Sequence, residues 1–285
     1  MTITLGDAVA ALEQLFPSAT AQSWDQVGLV TGDLTQPVRR VHAAVDPTLA
    51  VIEEARDLGA DLLLTHHPLL LRGIHSVATT TAKGESVTSL VVGDVALYVA
   101  HTNADVADPG VNTALARACG LATWEPLVVE EGQPLGLVGD LDEGVGLSTF
   151  VGRLAERLPQ AAGGIRVAGD PDGAVRRVAL LGGSGDSAFD AVRASGADVY
   201  VTADLRHHPA LEAREEARGG TPYLVDAGHW ASESLWLEQA LADLLLVLAE
   251  AGHDATTVET HVSTIRTDPW TFTVGAQPAQ TEGAS

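Results

Sequence analysis

The sequence predicts an α/β protein whose sheets are flanked by helices and whose two halves are related. Three observations lead to this class. Apolar runs of strand length alternate with helix-periodic segments, several runs end in polar side chains, and one segment recurs 137 residues further along the chain. Such alternation is typical of βαβ units with largely parallel sheets. With 285 residues and 46% hydrophobic content, the chain can bury a core in one large domain or two.

The strands and helices are placed by hydrophobic periodicity and by turn residues. Strands are predicted at residues 41–46, 61–65, 95–102, 177–182, 198–202 and 222–226. Helices are predicted at residues 48–58, 111–119, 186–195 and 209–218. Apolar residues also recur at helical spacing from 235 to 248, and Gly252 is a natural stop for that helix.

An internal repeat supports two related domains. Val-Arg-Arg-Val at 38–41 recurs at 175–178, Gly-Ala-Asp at 59–61 recurs at 196–198, and nine of 28 ungapped positions are identical. Each copy is predicted to be a strand, a helix, a tight turn and a second strand, which is a right-handed βαβ unit. The Gly-rich and acidic stretch 124–172 is the predicted boundary. We therefore predict domains at 1–125 and 126–278, which can interlace, and a disordered tail at 279–285.

Composition excludes several classes of protein and site. The formal charge of −22 argues against nucleic-acid binding, because Lys and Arg supply most of the affinity for phosphates. Cys119, the one cysteine, excludes an internal disulfide and a Cys-rich zinc site. The apolar runs are far shorter than the roughly 20 residues of a membrane span, and the N-terminus lacks a signal-peptide pattern. We expect a cytoplasmic protein that binds neither membranes nor nucleic acid.

Metal-capable side chains follow three of the apolar runs. The segment Asp-Leu-Leu-Leu-Thr at 61–65 is followed by His66 and His67, and the run that ends at Ala100 is followed by a segment that contains Asp105. Taken alone, a His-His pair such as His66 and His67 is more often two surface histidines on a loop. His229 and Glu233, four residues apart after a third strand, would share one face of a helix.

Together these five residues predict a metal site. Ligands in α/β proteins bind beyond the carboxyl ends of strands, where His66, His67, Asp105, His229 and Glu233 are all expected. Five donors exceed what one tetrahedral ion with an open position needs, and they suit two divalent cations bridged by a carboxylate. Imidazole and carboxylate ligands are compatible with Zn, Mn, Fe, Co or Ni.

Other residues are predicted to support such a site. We expect His101, Asp204 and His208 to move protons or to orient ligands. The Gly-Gly-Ser-Gly turn at 182–185 could cradle a phosphate, although a tight connection is the simpler interpretation because the turn lacks a P-loop lysine.

In the order and spacing of its motifs the chain resembles the Nif-three-like dinuclear metal proteins, often labelled GTP cyclohydrolase 1 type 2 homologues. The matching segments are 24–29, 61–68, 101–105, 110–112, 182–185, 202–204 and 226–229 with Glu233. The resemblance implies two α/β domains, a toroidal homohexamer, and two metals per subunit held by His66, His67, Asp105, His229 and Glu233. Ala203 departs from the family pattern, which usually has Gly there.

The sequence leaves three functions open. The first is a metal-dependent hydrolase in which water held between two cations attacks a small, nucleotide-like substrate, and the family label points to GTP. The second is a non-catalytic metal-binding or regulatory hexameric ring. The third is a phosphoesterase for small nucleotides.

Overall fold

The computed structural model describes residues 2–275, so the predicted tail at 279–285 lies outside it. This part of the chain forms two β-sheets flanked by helices, as predicted. The first sheet contains, in sheet order, β1 (Gly28–Thr31), β4 (Ala96–Val99), β3 (Leu62–Thr65), β2 (Arg40–Ala44) and β11 (Glu259–Val262). The second contains β5 (Glu125–Glu130), β6 (Gln133–Gly146), β8 (Ala174–Ser184), β9 (Val199–Ala203), β10 (Tyr223–Asp226) and β7 (Arg166–Ala168).

Ten α-helices accompany these strands in the described part of the chain. They are α1 (Leu5–Leu15), α2 (Leu49–Asp57), α3 (Ala82–Val92), α4 (Thr102–Asp105), α5 (Val111–Cys119), α6 (Leu147–Ala155), α7 (Phe189–Ser195), α8 (His207–Ala217), α9 (His229–Ser234) and α10 (Leu237–Glu250). No helix within residues 2–275 has the length and apolar character needed to cross a membrane.

Each sheet has helices on both faces because successive side chains of a strand point to opposite sides. In β3, Leu62 and Leu64 pack in the core under α1 and α10, whereas Leu63 packs in the core under α2 and α3. In β9, Val199 and Val201 pack against α5 and α6, and Tyr200 packs against α7 and α8. This two-sided burial explains why these strands are nearly continuous apolar runs.

The expectation of largely parallel sheets is right for one sheet and wrong for the other. In the first sheet β11, β2, β3 and β4 are parallel neighbours, and β1 is an antiparallel edge. In the second sheet β8, β9 and β10 are parallel, but β5, β6 and β7 add antiparallel pairs. These three strands and α6 occupy the stretch 124–172 that was predicted to be a boundary. This segment is part of the second sheet and its core, and the position of the domain boundary stays a prediction.

The two halves interlace in both directions. Helix α5, from the first predicted domain, contributes Leu115 and Ala116 to the core of the second sheet. Helix α10 and β11, from the second predicted domain, complete the first: Leu241 and Leu244 pack in its core, and β11 pairs with β2. Each half of the protein therefore contains at least one element from the other half of the sequence. The division into domains at 1–125 and 126–278 stays a prediction.

The repeated sequence segments share a hydrogen-bonding device. Asp61 Oδ2 accepts from the backbone N–H groups of Arg39 and Arg40 at 2.7 and 2.9 Å. Asp198 Oδ2 accepts from those of Arg176 and Arg177, at 2.8 Å each. In both units this carboxylate ties the start of one strand to the start of its parallel neighbour. The duplication itself stays a prediction.

Several predicted boundaries shift. The strand predicted at 95–102 is shorter, because β4 ends at Val99 and α4 begins at Thr102. The helix predicted at 186–195 starts as a 3₁₀ turn, Asp186–Ala188, before α7, and α8 begins two residues before the predicted start at 209. A break at Leu235 and Trp236 separates α9 from α10; the indole of Trp236 is 2% exposed and packs in the first core.

Candidate metal centre

Three of the predicted donors follow strands of the first sheet. β3 is followed directly by His66 and His67, whose backbone N–H groups donate to the carbonyl oxygens of Ala44 and Val45 at 3.3 and 2.8 Å. These bonds fix both residues at the edge of the sheet. β4 is followed by α4, which ends at Asp105. Since β3 and β4 are parallel neighbours, their carboxyl ends lie at the same edge.

The other two donors follow β10 in the second sheet. Gly228, with φ of 81°, turns the chain into α9, on which His229 and Glu233 are one helical turn apart. Nε2 of His229 lies 3.1 Å from Oε1 of Glu233 and 3.2 Å from Nε2 of His67. The structure therefore brings donors from both sheets together.

The carboxylate of Glu233 lies at the centre of the cluster. Its Oε1 is 3.5 Å from Nε2 of His66, and its Oε2 is 3.1 Å from Nε2 of His67. Oδ1 of Asp105 lies 3.7 Å from the same nitrogen of His66. Because its two oxygens face different imidazoles, Glu233 is positioned to be a ligand shared between two metal ions.

Each of the three imidazole rings is held through its other nitrogen, Nδ1. The partners are the Ala100 carbonyl for His66 at 2.9 Å, Asp46 for His67 at 2.7 Å, and Asp204 for His229 at 2.8 Å. A ring that donates from Nδ1 presents a lone pair at Nε2, so the three lone pairs point toward Glu233. Metal-ligating histidines are oriented by this kind of hydrogen bond.

Three polar atoms of the cluster are buried without a hydrogen-bond partner among residues 2–275: His66 Nε2, Asp105 Oδ1 and Glu233 Oε2. Glu233 Oε2 does lie 3.1 Å from His67 Nε2. When His67 is neutral, with its proton on Nδ1, that contact joins two acceptors. One buried polar atom without a partner costs roughly 1–3 kcal/mol. The donor set of imidazole nitrogens and carboxylate oxygens fits bound cations, which would give these lone pairs a partner.

His101 places a further imidazole beside the five donors. Ligand atoms of His66, His67 and His101 lie within 4.8 Å of one another, and so do those of His67, His229 and Glu233. These two groups overlap at His67. The ring of His101 is oriented through Nδ1, which lies 3.0 Å from Asp25 Oδ1.

Two orienting carboxylates, Asp25 and Asp46, were not predicted from the sequence. The buried Asp25 side chain also accepts from the backbone N–H and the hydroxyl of Thr102, at 3.1 and 2.5 Å. Asp25 does lie within the 24–29 segment of the family resemblance, and Asp46 is the last residue of the strand predicted at 41–46. These positions, in a family motif and at the end of a predicted strand, are the signals in the sequence by which the two carboxylates could have been identified.

The charges of the cluster perturb one another strongly. Burial alone would lower the pKa of His67, but Asp46 and Glu233 raise it to about 10. Burial would likewise lower the pKa of His229, but Glu233 raises it to about 9. For Asp105, burial raises the pKa to about 7. Burial also acts to raise the pKa of Glu233, but His66 and His229 hold it well below its usual range. The site therefore favours positive charge around an ionised Glu233, which either protons at Nε2 of His67 and His229 or a bound cation in their place would supply.

Of the three residues expected to assist catalysis, two lie at the site and one does not. His101 and Asp204 contact the site as described above. His208 is exposed on the first turn of α8, where its ring packs edge-on against His207 with the centroids 5.2 Å apart. It contacts none of the five donors in the described part of the chain. The reason is local: α8 begins at His207 and directs this turn into solvent.

The Gly-Gly-Ser-Gly turn serves close packing. The N–H of Gly182 donates to Asn112 Oδ1 at 2.8 Å, and that of Gly183 donates to Ser232 Oγ at 3.0 Å. These amides are therefore occupied by side chains and cannot cradle a phosphate. Gly183 has φ of 67°, and a Cβ there would lie 2.2 Å from Glu233 Oε1. The glycine lets the backbone approach the central carboxylate.

A cavity of about 750 Å³ opens beside the cluster and is lined by His67 and His229. Their side chains are 22% and 31% exposed, whereas those of His66 and Glu233 are 0% and 5% exposed. A solute that enters the cavity therefore meets His67 and His229 first.

Known proteins resemble this chain over nearly its whole length. The family described as Duf34/NIF3 (NGG1p interacting factor 3) matches residues 3–269. A Streptomyces coelicolor protein named GTP cyclohydrolase 1 type 2 homolog is 50% identical over 96% of both chains. A Mycobacterium leprae protein of the same name is 35% identical over 95% of this chain and 96% of its own. The crystal structure of a Bacillus cereus protein related to NIF3 superposes with a TM-score of 0.86 and 25% identity, over 96% of this chain and all of the other.

Proposed function

The chain belongs to the Duf34/NIF3 family, and from this premise we propose that it is a dinuclear metal-dependent hydrolase of a small, nucleotide-like substrate. The proposed ligands are His66, His67, Asp105, His229 and Glu233. Glu233 is the shared ligand, since its two oxygens face different imidazoles. The curated relatives carry the name GTP cyclohydrolase 1 type 2 homolog, which makes GTP the first substrate to test.

One observation carries the proposal. The unpartnered atoms His66 Nε2, Asp105 Oδ1 and Glu233 Oε2 are buried in the same cluster, although each would be costly to bury without a ligand. A structural role alone would favour hydrogen bonds among these residues. Instead, their lone pairs converge while the opposite nitrogens of the rings are held by acceptors.

The chain's own residues then have distinct tasks. Asp46 and Asp204 hold the rings of His67 and His229 in the ligating orientation. His101, held by Asp25, is placed to take or return a proton at Nε2, and Asp204 is the exposed carboxylate at the mouth of the site. When bound, the cations supply Lewis acidity, which activates water and stabilises developing negative charge.

The assembly and location also belong to the proposal. The family resemblance supports a toroidal homohexamer, and we propose that the chain works in this form in the cytoplasm. The formal charge of −22 supports a partner other than nucleic acid or an anionic membrane surface.

The test compares metal content with turnover. Metal per subunit is measured by plasma mass spectrometry for the parent protein, Glu233→Ala and His67→Ala, and turnover of GTP and of a generic phosphodiester is measured on the same samples. We expect about two metals in the parent, fewer in both variants, and turnover that follows metal content. Metal without turnover on any substrate would favour the non-catalytic ring, and a metal-free parent that cannot be loaded would refute the site.

A further inference from the structure

A C-terminal strap, residues 263–274, crosses the cavity beside the candidate metal centre. It continues from β11, where the N–H of Ser263 donates to the Ala43 carbonyl at 2.8 Å. The Thr267 hydroxyl donates to Asp46, the residue that orients His67, and the Thr273 hydroxyl donates to the Ala162 carbonyl at 2.6 Å. The strap is thus attached to both halves of the protein.

The strap presents two large aromatic side chains at the cavity. Trp270 and Phe272 line it, and they are 69% and 77% exposed. Asp268 Oδ1 accepts from the Trp270 N–H at 2.8 Å and thereby fixes the turn before the indole. Neither side chain belongs to a core cluster, so fold stability does not explain them. Exposed aromatic surface in a concave site is typical of ligand binding.

Arg166 places a positive charge in the same cavity, where the carboxylates of Asp46, Asp204, Asp226 and Asp268 each already accept a hydrogen bond within the protein. It is the one Arg or Lys among the described residues that line this cavity, in a chain with a formal charge of −22. Its side chain is 69% exposed and donates to Asp226 through one Nη atom. A guanidinium has five N–H donors, and within residues 2–275 the others make no hydrogen bond. Those donors can bind an acidic group.

We infer that the strap holds the ligand: Trp270 and Phe272 bind the face of a planar aromatic ring, and Arg166 binds an anionic group that the same molecule carries. The ligand class is therefore an aromatic heterocycle with a phosphate or carboxylate. The inference deepens the proposed function, since it places such a ligand next to His67 and His229. Binding through the strap does not itself require that the site hydrolyse anything.

The test measures binding, with guanosine 5′-monophosphate as the probe. Its partial analogues are guanosine, which lacks the anion, and ribose 5-phosphate, which lacks the ring. Calorimetry gives Kd for the parent protein as purified, Trp270→Leu, Phe272→Leu and Arg166→Gln. Leu246→Ala is the control, because that apolar side chain is also exposed, at 57%, and lies outside the cavity lining. Metal content and sedimentation are measured on every sample.

We expect Trp270→Leu and Phe272→Leu to weaken binding of guanosine 5′-monophosphate about tenfold, equivalent to roughly 1.4 kcal/mol, with Trp270→Phe close to the parent. Ribose 5-phosphate should not respond to those changes, and guanosine should not respond to Arg166→Gln. The inference is overturned if the parent binds no probe, if Trp270→Leu binds like the parent, or if Trp270→Leu alters assembly size instead of affinity. If the protein binds the probe through the strap but has neither metal nor turnover, the proposed function is refuted and the inference about the strap stands.

Discussion

Nε2 of His67 and Nε2 of His229 face each other at 3.2 Å, although the two residues are 162 positions apart and follow strands of different sheets. Each ring is held at Nδ1 by a carboxylate, Asp46 in one case and Asp204 in the other. Two lone pairs at this distance repel unless a proton or a metal ion lies between them. Because Asp46 and Asp204 hold the two rings in this arrangement, their role can be tested by mutation in the same way as that of the ligands.

Replacing Asp46 with Asn should weaken metal binding by about 10- to 100-fold, because His67 would lose the negative partner that fixes its tautomer. Competition with a chromophoric chelator measures the change. Asp57→Asn, an exposed carboxylate at the end of α2, is the control and should bind metal like the parent. Equal affinity in Asp46→Asn would show that Asp46 does not support the site.

Replacing Gly183 with Ala should disturb the central carboxylate. The new Cβ would lie 2.2 Å from Glu233 Oε1, and the residue would also have to keep φ at 67°. Gly196→Ala is a matched control, since Gly196 has φ of 70° and no atom within 4 Å of a Cβ placed there. Both variants should lose about 1–2 kcal/mol of unfolding free energy through backbone strain. A loss of metal is expected only in Gly183→Ala, and equal metal content in the two variants would contradict this role of Gly183.

Removing metal should destabilise the fold, because His66, Asp105 and Glu233 would keep buried atoms without partners. At a free metal concentration 100 times Kd, binding to the native state adds about 2.7 kcal/mol. Thermal unfolding with and without chelator should then differ by roughly 5–10 °C. Glu233→Ala should show little difference between the two conditions, and a parent protein whose Tm ignores the chelator would speak against a site that stabilises the native state.

The two strand-tying carboxylates should contribute similarly to stability. Asp61→Ala and Asp198→Ala each leave two backbone N–H groups without their acceptor, so each should lower the unfolding free energy by about 1–2 kcal/mol. Urea unfolding measures this, with the exposed Asp142→Ala as control. A large effect at only one of the two positions would show that the two sets of hydrogen bonds do not contribute equally to stability.

Cys119 should be unreactive in the native protein. Burial raises the pKa of its thiol to about 12, so at pH 8 the thiolate is on the order of a thousandfold rarer than for an exposed cysteine. Because the pKa is raised, reactivity should stay low until the pH approaches 12 or the chain unfolds. Labelling with a chromogenic disulfide at pH 8, with and without urea, gives the two rates. Rapid labelling without urea would mean that α5 opens readily.

The sequence predicted the site best where metal-capable side chains directly follow an apolar strand. His66 and His67 follow β3 directly, and His229 and Glu233 share one helical turn, so local spacing was sufficient to identify them. Asp25 was not assigned a role because its partner, His101, lies 76 residues away and only the folded chain brings them together.

The missed elements have a different cause. β6 spans Gln133–Gly146, and only four of its fourteen residues are buried, so it lacks the continuous apolar run of a buried parallel strand. Glycines and acidic residues within it resemble a linker in composition. Its pairing with β8 is nevertheless antiparallel and regular over several residues. Pairing with a distant strand stabilises this segment, which its own hydrophobic pattern does not predict.

The position of α10 and β11 after the second sheet in the sequence has a consequence during protein synthesis. The first sheet lacks a strand and a covering helix until residue 262 has been translated, although its other strands are complete by residue 99. A nascent chain that has left the ribosome up to β4 therefore exposes the apolar surface that α10 later covers. Chaperone binding to such a nascent chain should end only after residue 262 has left the ribosome.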